Sequence, residues 1–193
     1  MTLADKITSL RLILAPVFFI MYIVPPPGGG SGGRIFVITI LWVLFIVSEL
    51  TDLIDGWIAR RRREVSNFGK LFDPFADVLV RITYFLCFVV DGILPVIPLL
   101  IILYREFGIL FVRILMMQKG IAMGARMGGK IKAVVYMVTG ALALCTVSVK
   151  RLGLGDGLFA GLRLAGIVLF VISAFIAVLS FADYITVFRK SKT

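Results

Sequence analysis

Six apolar runs, each close to the length of a membrane crossing, constrain this chain more than any other feature. They lie near Ile7–Val24, Arg34–Arg60, Gly69–Val90, Ile93–Gln118, Ile131–Lys150 and Leu158–Phe188. A helix needs about 20 mainly apolar residues to cross the hydrocarbon layer. In hydrocarbon every backbone N–H and C=O must be satisfied within the protein, and runs of this length meet that requirement as helices. The composition agrees: 60% of residues are hydrophobic and 17% are charged, against about 45–50% and about 25% in a soluble domain. The expected architecture is an all-α integral membrane protein, one domain over residues 1–193 with six transmembrane helices. The first run is not expected to be a cleaved signal peptide, because it lacks a small-residue cleavage site. It ends in Pro25-Pro26-Pro27-Gly28-Gly29-Gly30-Ser31-Gly32-Gly33, which reads as an exposed, flexible connector. No Lys-Ser/Thr follows these glycines, so a phosphate-cradling loop is disfavoured.

Six crossings put both termini on one side, and the basic residues choose the side. Lys6, Arg11, Arg60 to Arg63, Lys70, Lys119, Arg126, Lys130, Lys132, Arg189, Lys190 and Lys192 fall with the termini; Arg34, Lys150, Arg151 and Arg163 fall opposite. Both termini are therefore expected in the cytoplasm, in a multi-pass protein of the cell (inner or plasma) membrane. The net charge of +10 becomes largely a cytoplasmic collar facing anionic lipid headgroups. Nucleic acid is not an expected partner, since the aromatics sit inside the apolar runs rather than among the basic residues. The chain has no His, so proton transfer and metal binding fall mainly to carboxylates. Cys87 and Cys145 lie inside apolar runs and read as small buried hydrophobes.

Four aspartates, Asp52, Asp55, Asp73 and Asp77, stand out. Acids at membrane depth are costly unless paired, metal-bound or facing a polar cavity, so they mark function by default. Asp52, Asp55, Gly56, Ala59 and Arg60 follow i, i+3, i+4, i+7, i+8, one face of a helix; Gly69, Asp73 and Asp77 follow i, i+4, i+8. A short basic loop over residues 61–68 would fold these two faces together near the cytoplasmic boundary. Converging carboxylates repel, and hard divalent cations relieve this: oxygen-only ligands suit Mg²⁺ or Mn²⁺, which in turn serve phosphate chemistry. The glycines and Ala59 would let the backbone approach a bulky ligand such as a nucleotide. Taken singly, each of these residues also fits a solvated helix end or ordinary small-residue helix packing.

The same residues resemble the full signature of the CDP-alcohol phosphotransferase family, DxxDGxxAR(x8)GxxxDxxxD, running here from Asp52 to Asp77. Eight fixed positions at about 5% each match by chance on the order of once in 10¹⁰ placements. The resemblance implies a six-helix membrane enzyme, usually a homodimer, that moves a substituted phosphate from a CDP-linked donor to an alcohol and releases CMP. It implies that Asp52, Asp55, Asp73 and Asp77 surround a pair of Mg²⁺ or Mn²⁺ ions. The CDP moiety would be lined by Asp52, Gly56, Ala59, Arg60, Gly69 and Asp73, and Asp77 would be the general base.

Beyond the signature, the chain is most similar to the bacterial branch that joins CDP-diacylglycerol to glycerol 3-phosphate. Lys6-Ile7-Thr8-Ser9-Leu10-Arg11 before Pro16, then Arg105-Glu106-Phe107, Arg113, Lys119-Gly120 and Gly129-Lys130-Ile131-Lys132, follow that branch's order. Arg105 and Arg113, at i, i+8 in an apolar run, are candidates for the acceptor's phosphate, with Lys130 or Lys132 adding a point charge. The alternative is a structural ion-pair network around Arg105 and Glu106. Two positions depart from the branch: Val78 stands where Lys is usual and Asp5 where Asn is typical. Arg81, one turn beyond Asp77, could replace the missing charge, pair with Asp77 or snorkel. Inositol phosphate, serine or phosphatidylglycerol as acceptor, and CDP-choline or CDP-ethanolamine chemistry, are the alternatives within the family. A small ion transporter would instead spread its acids over several helices, or repeat them in the two halves of the chain; no such repeat is seen.

Overall fold

In the computed structural model the backbone is described for residues 3–28, 30–62, 69–118 and 127–190; side chains are described for 8–28, 30–51, 69, 71–118, 131–182 and 184–186. Six helices follow one another: α1 (Leu3–Ile23), α2 (Ser31–Arg62), α3 (Gly69–Val90), α4 (Val96–Gln118), α5 (Met127–Leu152) and α6 (Asp156–Lys190). There is no strand among the described residues. Helix α5 begins four residues before its apolar run and α1 begins four before Ile7, since polar residues at a helix end can continue the helix into the interface.

The turns are built from backbone hydrogen bonds that glycine permits. After α3, Gly92 takes φ +73°; its N–H reaches Val89 O at 3.0 Å and the Ile93 N–H reaches Phe88 O at 2.9 Å. This is a Schellman cap, which satisfies carbonyls the helix end would otherwise leave open. After α5, Gly153 at φ +67° plays the same part, with Leu154 N–H on Val149 O at 3.2 Å. In the proline-glycine connector Pro27 and Gly33 approach closely: a Cβ on Gly33 would overlap the Pro27 carbonyl oxygen.

Helix α1 packs on α2 and α3, α4 on α3 and α6, and α5 on α2, α3 and α6. Their shared core is aromatic. Phe18, Tyr22, Phe45, Tyr84, Phe85, Phe88, Tyr136 and Phe170 are all buried, with Phe45 and Tyr84 edge-to-face at 5.4 Å and Phe85 against Phe170 at 4.9 Å. The rings approach α5 where side chains are absent: a Cβ on Gly140 would lie 2.9 Å from Phe45 Cε2 and 3.3 Å from Tyr84 Cε2. Gly140→Val should therefore overpack this contact at a cost of about 1–3 kcal/mol, seen as a lower unfolding midpoint of the purified protein; an unchanged midpoint would mean the rings yield freely.

Large apolar side chains such as Ile13, Val90, Tyr104, Phe111 and Phe175 face outward, while Arg11, Arg105, Glu106, Lys132, Thr139 and Ser173 are buried. That distribution suits a hydrocarbon surround better than water. Ser31–Thr51, Ile131–Leu152 and Asp156–Thr186 are long and apolar enough to cross a membrane, and Thr8–Ile23 is a shorter apolar helix. Helices α3 and α4 carry the charges Asp73, Asp77, Arg81, Arg105, Glu106 and Arg113, which lower their hydropathy.

Candidate active site

Asp73 and Asp77 sit one turn apart on α3, as the i, i+4 spacing requires, and both face α1. Arg11 of α1 is 1% exposed. Its Nη2 donates to Asp73 Oδ1 at 2.5 Å and its Nη1 to Asp77 Oδ1. Thr8, one turn earlier, donates from Oγ1 to Asp73 Oδ1 at 3.5 Å. A single guanidinium thus bridges both carboxylates, the planar fork suiting two acceptors at once. Arg11, counted from the sequence on the terminal side with the residues of the basic collar, is buried: the charge is drawn inward because two aspartates need a counter-cation there. The aspartates remain 42% and 20% exposed, so a ligand can reach them.

A small cleft beside Asp77 is lined by Arg11, Ser48, Glu49, Asp77, Val80 and Arg81. Glu49 of α2 accepts a 2.9 Å hydrogen bond from the Tyr84 hydroxyl of α3, tying the two helices together two turns from Asp77. Val78 is buried and 7% exposed, pointing into packing, whereas Arg81 lines the cleft. Arg11, Glu49 and Arg81 are functional candidates that the spacing argument passed over or left undecided. The signal for Arg11 was present, since a charge inside an apolar run is exceptional.

The signature residues Asp52, Asp55, Gly56, Ala59 and Arg60 belong to the last third of α2, and their side chains lie outside the described residues. Gly69 opens α3. No three Asp, Glu, Cys or His side chains converge among the described residues.

A second polar cluster joins α4, α5 and α6. Arg105 Nη1 donates to Glu106 Oε2 at 2.9 Å, Arg105 Nη2 to Ser180 Oγ at 2.7 Å, and Lys132 Nζ to Glu106 Oε1 at 2.6 Å. All four residues are buried. Lys132, like Arg11, is thus an interior cation rather than part of the collar. Arg113 Nη2 donates to the Tyr184 hydroxyl at 3.1 Å, with the guanidinium 5.9 Å from the Tyr184 ring centre. The Nε groups of Arg105 and Arg113 are buried without a hydrogen-bond partner among the described residues. Arg81 is close enough to Glu106 and Lys132 to interact electrostatically with both, which links this cluster to the cleft at Asp77. The Lys130 side chain lies outside the described residues.

The helical bundle has a largely apolar outer surface and sets two carboxylates at a cleft near buried cations, an arrangement compatible with a membrane enzyme acting on phosphate compounds. The model of the CDP-alcohol phosphatidyltransferase family matches residues 1–179, and the chain belongs to that family. It is 37% identical over 194 residues to the CDP-diacylglycerol–glycerol-3-phosphate 3-phosphatidyltransferase of Treponema pallidum, covering 97% of this chain and 89% of the relative. The protein of the same description from Bacillus subtilis is 33% identical over 134 residues, 67% of this chain and 69% of its own. That of Rickettsia typhi is 27% identical over 191 residues, 99% of this chain and 97% of its own.

Proposed function

We propose that this chain transfers the phosphatidyl group of CDP-diacylglycerol to glycerol 3-phosphate, giving phosphatidylglycerophosphate and CMP in phospholipid biosynthesis. The observation that carries the reading is the Asp73–Asp77 pair at a cleft, within a family signature complete from Asp52 to Asp77. The relatives' shared description supplies the donor and acceptor.

The α2 half of the site is assigned by the signature, and the helix geometry is compatible with it. Glu49 meets Tyr84 on a neighbouring helix of opposite direction. Seven residues back along α3 lead to Asp77, and seven forward along α2 lead to Gly56, an equal rise of about 10 Å. Asp52 and Asp55, farther along α2 than Glu49, would complete the carboxylate set with Asp73 and Asp77, as the family resemblance implies. Arg11's double engagement shows that Asp73 and Asp77 already draw a cation between them, and their donor atoms are all oxygen, as Mg²⁺ or Mn²⁺ prefer. Asp52, Asp55, Asp73 and Asp77 would hold two such ions. What the ions supply when bound is neutralisation of the diphosphate and of the charge developing on the CMP leaving group.

The remaining steps belong to side chains. Gly56, Ala59, Arg60 and Gly69 would cradle the CDP moiety, their small side chains admitting the nucleotide close to the backbone. Asp77 would take the proton from the acceptor hydroxyl as its oxygen attacks the phosphorus bearing the lipid, and the bond to CMP breaks. The acceptor's own phosphate would be held by Arg105 and Arg113, whose unpartnered Nε groups offer buried donors, with Lys130 nearby in sequence on α5. Arg81, at the cleft, would supply the charge that Val78 does not. In this reading the six helices all cross the cell membrane, both termini and the site face the cytoplasm, and the enzyme works as a homodimer, the form the family resemblance implies.

With Mg²⁺ or Mn²⁺ and CDP-diacylglycerol, the purified protein should release CMP with glycerol 3-phosphate and not with inositol phosphate, serine or phosphatidylglycerol. Mass detection of the lipid product checks this. Reaction with another alcohol while glycerol 3-phosphate is inert would reject the acceptor and leave the family intact.

A further inference from the structure

A second cavity, of about 370 Å³, opens at the other end of the bundle, between the C-terminal ends of α1 and α5 and the start of α2. It is lined by Tyr22, Arg34, Asp91, Lys150 and Arg151 together with the apolar stretch 23–26. From Asp77 to Asp91 along α3 is about 21 Å of helix, so this cavity is not part of the carboxylate cleft. Three cations face one carboxylate, and that carboxylate is occupied: Asp91 accepts from Lys150 Nζ at 2.8 Å and from the Tyr22 hydroxyl at 3.0 Å. The two arginines are placed but not saturated. Arg151 lies 4.4 Å from the Tyr22 ring centre and donates from Nη2 to Tyr22 O at 2.8 Å. Arg34 makes one long bond, from Nη1 to Arg151 O at 3.4 Å. Each guanidinium carries five N–H donors, and among the described residues Arg34 and Arg151 use one apiece. The cavity is of ligand size, with apolar walls and a few convergent polar groups.

We infer that this cavity binds the phosphate of an anionic phospholipid, in the leaflet opposite the one that faces the carboxylate cleft. Guanidinium donors in a fork match phosphate oxygens in pairs. The excess of positive charge selects an anion. The source is lipid because the cavity's rim continues into outward-facing Ile23, Val24, Ile35 and Phe36, each more than half exposed. Acyl chains hanging from a phosphate held by Arg34 and Arg151 would lie along these residues, covering apolar surface that already faces hydrocarbon. Tyr22 and the Asp91–Lys150 pair are the scaffold: they fix Arg151 by its ring contact and backbone bond and keep Lys150 at the mouth. A lipid seated there would bridge α1, α2 and α5.

The test is lipid retention by the full chain in detergent, read by native mass spectrometry with phosphatidylglycerol, phosphatidylcholine or inorganic phosphate added. The wild-type protein should hold one phosphatidylglycerol in preference to phosphatidylcholine. Arg34→Gln should reduce its apparent affinity about tenfold, the loss expected for one charge-assisted hydrogen bond, with kcat unchanged because the cleft is remote. Arg34 makes a single long contact, so this variant keeps its fold even if Arg151→Gln does not. Weakening of inorganic phosphate binding by Arg34→Gln, with lipid retention unaffected, would overturn the lipid source and leave a soluble phosphate. Equal retention of phosphatidylglycerol by wild type and Arg34→Gln, with no phosphate effect, would overturn the site.

Discussion

Asp77→Asn should lower CMP release by about three orders of magnitude or more while leaving the protein folded. General-base catalysis contributes about 10²–10⁴-fold, and the substitution also removes one negative charge from the proposed metal site. The folded state should tolerate it for a specific reason. Arg11 donates from Nη1 to Asp77 Oδ1, and an asparagine in the same rotamer presents an amide oxygen at that position. The hydrogen bond persists although the charge is lost, and the carboxylate is one-fifth exposed, so no buried group is stranded. The expected pair of observations is a near-unchanged unfolding midpoint with turnover at the detection limit. An Asn variant that keeps a tenth or more of the wild-type rate would remove Asp77 from the base role. A variant that is inactive because it unfolds would instead show that Arg11 needs the full charge.

The helices were legible because hydrophobic runs of this length have few other outcomes, and the breaks between them carry glycines that cap: Gly92 and Gly153 stand where the chain turns. Asp73 and Asp77 were legible because i, i+4 spacing puts two groups on one face regardless of what the face meets. What the spacing could not show is the partner. Arg11 is 62 and 66 positions from the two aspartates it binds, and counting basic residues on either side of the membrane gives only its side, shared with Lys132, and not its burial. The buried position of both depends on acids supplied by other helices, Asp73 and Asp77 for Arg11 and Glu106 for Lys132, which from the sequence is also a candidate point charge for the acceptor phosphate. The distal cluster escaped for the same reason: Tyr22, Asp91 and Lys150 are ordinary residues at helix ends until packing brings them together. For Arg105 the structure shows the ion-pair network, one of the two readings weighed from the sequence. The residue belongs to it through Nη1 and keeps a buried unpartnered Nε.

Arg11→Gln should destabilise the metal-free protein far more than the metal-loaded one. Without metal, Arg11 is the cation that both Asp73 and Asp77 share. Removing one member of a buried pair costs about 3–5 kcal/mol, and the partial exposure of both carboxylates discounts this to about 2 kcal/mol through screening and hydration. In a chain of this size that corresponds to a midpoint lowered by about 4–8 °C in the presence of a chelator. Divalent ions bound by the same carboxylates neutralise the same repulsion, so added Mn²⁺ should raise the midpoint of the variant more than that of the wild type and close most of the gap. The variant should also respond to lower Mn²⁺ concentrations, because the ion no longer competes with a guanidinium for Asp73 and Asp77. Activity should fall nonetheless, since Arg11 also holds the Asp77 side chain in a fixed orientation toward the cleft. A midpoint deficit of the same size with chelator and with Mn²⁺ would mean that Arg11 stabilises the α1–α3 contact independently of metal, and it would remove the main structural support for placing divalent ions between these aspartates.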